Sequence, residues 1–266
     1  MTSRIDDLFN LHGKTAVVTG GSRGIGEMIA EGFVDAGASV IMTARKAEAL
    51  EATAARLNEK AADGASVNAI QGDLSSPEGL TAFADAVKAQ VNSLDILVNN
   101  AGAAWGADFG EYPVDGWDKV MDLNVRSIYY LTEALAGPLR AAATAEAPSR
   151  VINIGSVDGI RVTAQNHYAY STSKAAVHQL TRTLARTLIA DNVLVNAIAP
   201  GPFESKMMAY ALRDEENRAF VEGLVPQGRI GNPDDMAGLA IFLASKASCH
   251  MTGTIVPIGG GIATID

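Results

Sequence analysis

Short β-rich runs alternate with longer helical patterns along this chain, and that alternation limits the possible folds more than any single motif. The runs are Thr15–Thr19, Ser39–Thr43, Ser66–Gln71, Leu94–Val98, Val151–Gly155, Val193–Ile198 and Thr254–Ile258. Most are apolar at consecutive positions, as strands are when helices cover both faces of their sheet. The segments between them are long enough for right-handed crossover helices. One helix is expected from Arg23 to Ala36, with Ile25, Ile29, Phe33 and Val34 at helical spacing and Gly37 as its stop. Another should begin near Asn232, where Pro233 suits the first helical position and Asp234 and Asp235 complement the helix dipole. The expected fold is α/β: a doubly wound, seven-stranded parallel sheet with helices on both faces. No linker, repeat or low-complexity tract divides the 266 residues, so a single domain, 1–266, is expected. Ala141 to Ala147 reads as the fraying end of a long helix. Residues 202–228 interrupt the alternation and read as a helical insertion where a substrate lid could sit.

Charge and composition narrow the function. A formal net charge of −9 leaves no basic stripe for nucleic acid. No apolar run approaches the roughly 18 residues of a membrane span, and Met1 to Asn10 carries no signal-peptide core. A cytoplasmic protein with no membrane partner is the expectation. Cys249 has no cysteine to pair with, and His, Cys and carboxylates show no metal-ligand spacing, so no metal is expected.

The first run leads directly into Gly20-Gly21-Ser22-Arg23-Gly24-Ile25-Gly26, and a helix follows. Glycines allow a tight turn and a close approach to a pyrophosphate, while the helix N-terminus offers free N–H groups. A glycine cluster alone is weak evidence, but strand, turn and helix in this order point to a dinucleotide. The second run ends in Thr43-Ala44-Arg45-Lys46, with no carboxylate to bond a ribose 2′-hydroxyl. Arg23 and Arg45 instead suit a 2′-phosphate, so NADP(H) is the expected cofactor. Farther on, Tyr170 and Lys174 are one helical turn apart and share a face. A free phenol has a pKa of about 10, and a neighbouring ammonium is expected to lower it toward useful acid–base chemistry.

The spacing Gly20, Gly24, Gly26 resembles the TGxxxGxG turn of the short-chain dehydrogenases/reductases. Over nearly the whole chain, further motifs follow in the family's order: Asp73-Leu74, Asn99-Asn100-Ala101-Gly102, Asn124, Ser156, Tyr170, Lys174 and Pro200-Gly201. The stretches around Ser156 to Ser171 and the C-terminal end look most like 3-oxoacyl reductases of the rhamnolipid-associated type. The resemblance implies the remaining roles. Tyr170 would give or take the proton of the carbonyl oxygen, and Ser156 would hydrogen-bond that oxygen. Lys174 would tune Tyr170 and hold the nicotinamide ribose, and Asn124 would anchor a proton-relaying water. Asp73, Leu74, Asn100, Ala101, Gly102, Pro200, Gly201, Phe203 and Ser205 would touch the cofactor with Gly20 to Gly26 and Arg45. Tyr168 faces elsewhere on the helix and reads as core or pocket wall. There are departures: Ser156 and Tyr170 are one residue farther apart than is usual, Ser205 stands where the family favours Thr, and Gly259 where it favours Asp.

The substrate pocket is expected between Val157 to His167, Ala103 to Asp108 and the insertion, with Val157, Ile160, Val162, Phe203, Met207, Met208 and Leu212 as apolar lining. Arg161, Asn166 and His167 could meet a polar group or face water. A ketone or a 3-oxoacyl thioester is the expected substrate. The alternative is a module that holds NADP(H) without turnover, against which the complete Ser, Tyr, Lys and Asn set stands. Family resemblance further implies a homotetramer, built on the helices after Pro113 and after Tyr170. Asp191, and a helix end at Ala143 to Ala147 without a cation, argue against docking an acidic acyl carrier, although Arg213 and Arg218 offer another basic patch.

Overall fold

A computed structural model describes residues 4–62, 64–163, 165–205, 208–209 and 212–265. Its strands are β1 (Thr15–Thr19), β2 (Ser39–Ala44), β3 (Val67–Gln71), β4 (Ile96–Asn99), β5 (Ser149–Ile154), β6 (Val193–Pro200) and β7 (Ile255–Ile258). They form one parallel sheet in the order β3-β2-β1-β4-β5-β6-β7. The chain runs outward from β1 to β3, then crosses to β4. That reversal leaves a crevice beyond the C-terminal ends of β1 and β4, the usual ligand position in such sheets.

The helices are α1 (Arg4–Phe9), α2 (Gly24–Asp35), α3 (Ala47–Asn58), α4 (Pro77–Gln90), α5 (Val114–Met121), α6 (Ser127–Ala134), α7 (Ala136–Ala142), α8 (Tyr168–Leu188), α9 (Glu215–Gly223) and α10 (Pro233–Ala244). Alternate strand residues feed two separate cores. Ala16, Val18, Val40, Met42, Ile96, Val98 and Ile152 pack with α2 and α10. Val17, Ile41, Leu97 and Val151 pack on the other face with α4, α6 and α8. Helices α2 and α10 come close because Gly32 faces Ala237: a Cβ on Gly32 would lie 2.6 Å from that of Ala237.

The expected punctuation holds at atomic detail. Helix α2 ends at Asp35, and Gly37 follows in the left-handed region (φ 91°) while the Ala38 N–H donates to Phe33. Helix α10 has a reciprocal cap, in which Asn232 and Asp235 each accept the other's backbone N–H at 2.9 Å. Two strands are displaced from the apolar runs. Strand β5 starts at Ser149, because Ser149 and Arg150 are buried and paired with β6 despite being polar. Strand β4 starts at Ile96 and reaches Asn99, whose amide is also buried. Helix α7 stops at Ala142, so Ala143 to Ala147 is not helical. Among the described residues no helix is long and apolar enough to cross a membrane.

Candidate active site

The glycine turn between β1 and α2 is shaped by backbone. Gly20 and Gly24 take φ values of 67° and 56°, which side chains disfavour. A Cβ on Gly26 would lie 2.3 Å from the Gly20 carbonyl oxygen. Ser205 sits over the same turn, its Cβ 3.1 Å from where a Gly24 Cβ would be. The side chain of Arg23, the residue preceding α2, does not cap the helix, so the first N–H groups are left to another acceptor. Thr19 locks this turn to the next one: its hydroxyl donates to Val98 and accepts from the N–H groups of Asn100 and Ala101, both at 2.9 Å. The Asn100 amide donates back to the Thr19 carbonyl at 2.8 Å. The cradle fits a pyrophosphate.

Arg23, in the turn after β1, and Arg45, just beyond β2, are both exposed. Gln71 donates to the Arg45 carbonyl at 3.0 Å and so fixes the turn that carries it. Burial opposes charge on Asp73, but hydrogen bonds from Ser75 and the nearby Arg45 charge hold its carboxyl below the usual value. The Thr43 hydroxyl is buried at this end of β2 without a partner. This end suits an adenosine phosphate. Leu74 differs from the expectation: its side chain is buried in the core, leaving only its backbone for a ligand. Phe203 differs likewise. The residue is 2% exposed and its ring packs where a Gly231 Cβ would otherwise be, so little of the side chain is open to a cofactor.

The catalytic candidates converge at the ends of β4 and β5. Ser156 follows β5 and caps a 3₁₀ turn, Val157–Gly159, by accepting the Asp158 N–H at 3.1 Å. Tyr170 lies half-buried in the first turn of α8, where the Ser156 hydroxyl acts on its phenol. One turn on, Lys174 is 6% exposed, donates to the Ile154 carbonyl at 2.8 Å, and places Nζ 5.5 Å from the Tyr170 ring centre. Asn124 lies in a π turn, Asp122–Arg126, between α5 and α6. Its carboxamide is engaged at both ends: it accepts from the Ala103 N–H at 2.8 Å and donates to the Ala103 carbonyl and to Ser173, each at 2.9 Å. Both amide hydrogens are spent in this way, so a water that Asn124 anchors has to donate to it. Pro200 ends β6, and Gly201 packs tightly on Gly259: a Cβ on Gly201 would meet the Gly259 Cα at 2.7 Å.

Electrostatics here departs from the sequence reading. Burial pushes Tyr170 up to about 12; its bond to Ser156 opposes this and the charge of Asp158 adds to it. Burial also pulls Lys174 down to about 8. The ammonium therefore does not lower the phenol's pKa as expected. Side by side in this site each group favours its neutral form, and Lys174 loses its proton at lower pH than Tyr170.

The pocket wall differs too. Val157 packs with Val225 and Ile262, whereas Ile160 and Val162 are exposed. Asn166 donates to Asp108 at 2.8 Å and ties the two loops together. Tyr168 is wall rather than core, edge-on to Phe109 and Tyr112 at 6.2 and 6.0 Å. Met207 lies outside the described residues. Sequence reasoning missed the buried polar chain under the site. Asn99 donates to Asn153 at 2.9 Å, and Asn153 to Thr181 at 3.0 Å. Polar residues inside apolar strands were its only signal. Leaving one such group unpaired would cost about 1–3 kcal/mol.

This fold and site define a class: the chain belongs to the short-chain dehydrogenase/reductase family. The family model that matches residues 20–263 is described as enoyl-(acyl carrier protein) reductase. The rhamnolipids biosynthesis 3-oxoacyl-(acyl-carrier-protein) reductase of Pseudomonas aeruginosa is 49% identical over 95% of this chain and 97% of its own length. The 2-dehydro-3-deoxy-D-gluconate 5-dehydrogenase of Pseudoalteromonas atlantica is 38% identical over 95% of this chain and 97% of its own length. Among solved structures, a Pseudomonas aeruginosa RhlG/NADP active-site complex has a TM-score of 0.93 at 49% identity, covering 97% of this chain and 99% of that one.

Proposed function

We propose that this chain is an NADP(H)-dependent oxidoreductase acting on a carbonyl or secondary alcohol. Family membership supports the reaction class, and the relative solved with NADP supports the cofactor. The observation that carries the reading is the convergence of Ser156, Tyr170 and Lys174: the Ser156 hydroxyl acts on the phenol, and the buried Lys174 places Nζ 5.5 Å from the Tyr170 ring. Gly20 to Gly26, Asn100 to Gly102 and Ser205 would hold the pyrophosphate and nicotinamide ends, and Arg23 and Arg45 the 2′-phosphate. What NADPH supplies when bound here is a hydride for the carbonyl carbon. Tyr170, protonated throughout the working range, donates its proton to the carbonyl oxygen. The Ser156 hydroxyl already acts on Tyr170, so an oxygen held by both hydroxyls is positioned for that transfer. Lys174, fixed by the Ile154 carbonyl, returns a proton toward Tyr170.

The chain forms one domain, with residues 202–228 as a lid. Helix α9 within that segment is tied to the loop after β6 by Arg218, which pairs with Glu204 at 3.1 Å. The protein is cytoplasmic and homotetrameric. Exposed Val114 and Trp117 on α5, Tyr129 and Tyr130 on α6, and Ile189 after α8 support burial against symmetry mates. Light scattering that returns a monomer at micromolar concentration would overturn this.

The substrate is a ketone or a 3-oxoacyl thioester. For the thioester, coenzyme A is the better carrier. Because α7 ends at Ala142, its last turn does carry a cation, Arg140, which the reading of Ala143 to Ala147 did not include, but it pairs with Asp191 at 2.8 Å. Arg213 and Arg218 are paired with carboxylates as well. NADPH oxidation would be followed with acetoacetyl-coenzyme A, the matching acyl-carrier-protein thioester, simple ketones and a 5-keto sugar acid. NADPH binding without turnover on any of them would favour a regulatory module. Strong preference for the protein carrier at low salt would refute the carrier argument.

A further inference from the structure

His178 is buried on α8, one turn beyond Lys174, and the proposed chemistry gives it no task. Its ring fills space left by two glycines on either side of Ser156. A Cβ on Gly155 would lie 2.2 Å from the His178 Nε2, and one on Gly159 would lie 2.8 Å from its Cε1. The same Gly159 Cβ would come within 2.8 Å of the α8 backbone at Lys174 and Ala175. Nε2 has no partner. The Gly159 backbone acts on the ring in the direction a carbonyl acceptor would, and with Nε2 unpartnered Nδ1 is the nitrogen left to face it. On the opposite side, the Gly155 N–H is held by the Ile198 carbonyl at 2.8 Å. The loop from Gly155 to Gly159 is thus clamped between β6 and one imidazole.

We infer that His178 is a positioning residue: its neutral ring seats the Gly155–Gly159 loop so that the Ser156 hydroxyl meets Tyr170. Burial supports the neutral form, pulling the imidazole down to about 4. The inference rests on the reading of Ser156 as the hydroxyl that holds the substrate oxygen. Misplacing a reacting group by about 1 Å can cost about 100-fold in rate.

The test is a double-mutant cycle on the full-length protein, with NADPH and acetoacetyl-coenzyme A or whichever carbonyl is turned over. His178→Leu should lower kcat by about 100-fold while the KM for NADPH stays near wild type. His178→Asn keeps a donor near the Nδ1 position and should recover most of the rate. In a Ser156→Ala background, His178→Leu should cost little more, because the group it positions is gone. Amide exchange across residues 155–161 should quicken in His178→Leu and return to normal in His178→Asn, a readout that needs no turnover. Should His178→Leu fail to fold, His178→Asn against His178→Gln, whose amide reaches the Nε2 position instead, carries the comparison. A full rate in His178→Leu, or a loss that simply adds to that of Ser156→Ala, would overturn the proposal. A Ser156→Ala enzyme as fast as wild type would remove the role of Ser156 itself, and the positioning role with it.

Discussion

The two halves of the site are made of different material. At the ends of β1 and β2 the shape comes from backbone: Gly20 and Gly24 in left-handed geometry, and Gly26 against the Gly20 carbonyl. At the ends of β4 and β5 it comes from polar side chains, namely the buried Asn124, Ser156 and Lys174 and the half-buried Tyr170, each with a named partner. A backbone cradle fails when atoms are added. A side-chain site fails when atoms are removed. The first binds by geometry that exposure hardly changes, whereas the second works at protonation states that burial decides.

The sharpest separation of the two halves comes from Tyr170→Phe. Only the proton-carrying hydroxyl is lost, so kcat should fall by about 1000-fold while the fluorescence-measured Kd for NADPH stays nearly constant. Substantial kcat in this variant would mean that the acid–base role lies elsewhere. Gly26→Ala should show the reverse pattern. Its new methyl group meets a backbone oxygen that cannot step aside. Overpacking of this kind costs about 1–3 kcal/mol, which would weaken NADPH binding roughly 10- to 100-fold. Unchanged affinity would mean the turn relaxes and the cradle is not rigid.

The halves also differed in how far the sequence could be read. The turn from Gly20 to Gly26 was legible because its residues sit between a strand and a helix and depend on little else. The catalytic residues were legible as identities and order, since each lies at a strand end or a helix start. Their chemistry was not. The effect of Lys174 on Tyr170 depends on a shared environment that no spacing reveals, and the ammonium effect was placed with the wrong sign of dominance. Leu74 and Phe203 were read as contacts from their positions, but whether a side chain points at a ligand or into the core is a tertiary fact. Ser149 and Arg150 hid the start of β5 for the same reason.

Arg45→Ala tests the one place where the cofactor half relies on a side chain. Loss of an exposed charge-assisted contact should reduce the preference for NADPH over NADH, as a ratio of kcat/KM, by roughly tenfold. Raising the salt should shrink that difference, because both arginines are exposed. Equal efficiencies with the two cofactors in the wild type would sink the assignment.

The smallest expected effect decides which group owns the pH dependence. In the free protein Lys174 titrates at about 8 and Tyr170 at about 12, both moved by burial. Raising pH through 8 therefore removes the Lys174 proton and leaves the phenol intact. If the ammonium holds the nicotinamide ribose, NADPH affinity should weaken only a few-fold across that step, and only in this direction. Measurements that start above about pH 7 keep the cofactor's 2′-phosphate, whose second pKa is about 6, from titrating in the same window. The step should persist in Tyr170→Phe, because that variant leaves the lysine in place. It should move beyond the accessible range in Lys174→Arg, since a guanidinium keeps its proton. A step that disappears in Tyr170→Phe but survives in Lys174→Arg would assign it to the phenol. The ammonium would then have lowered Tyr170 after all, and burial would not be the force that sets this half of the site.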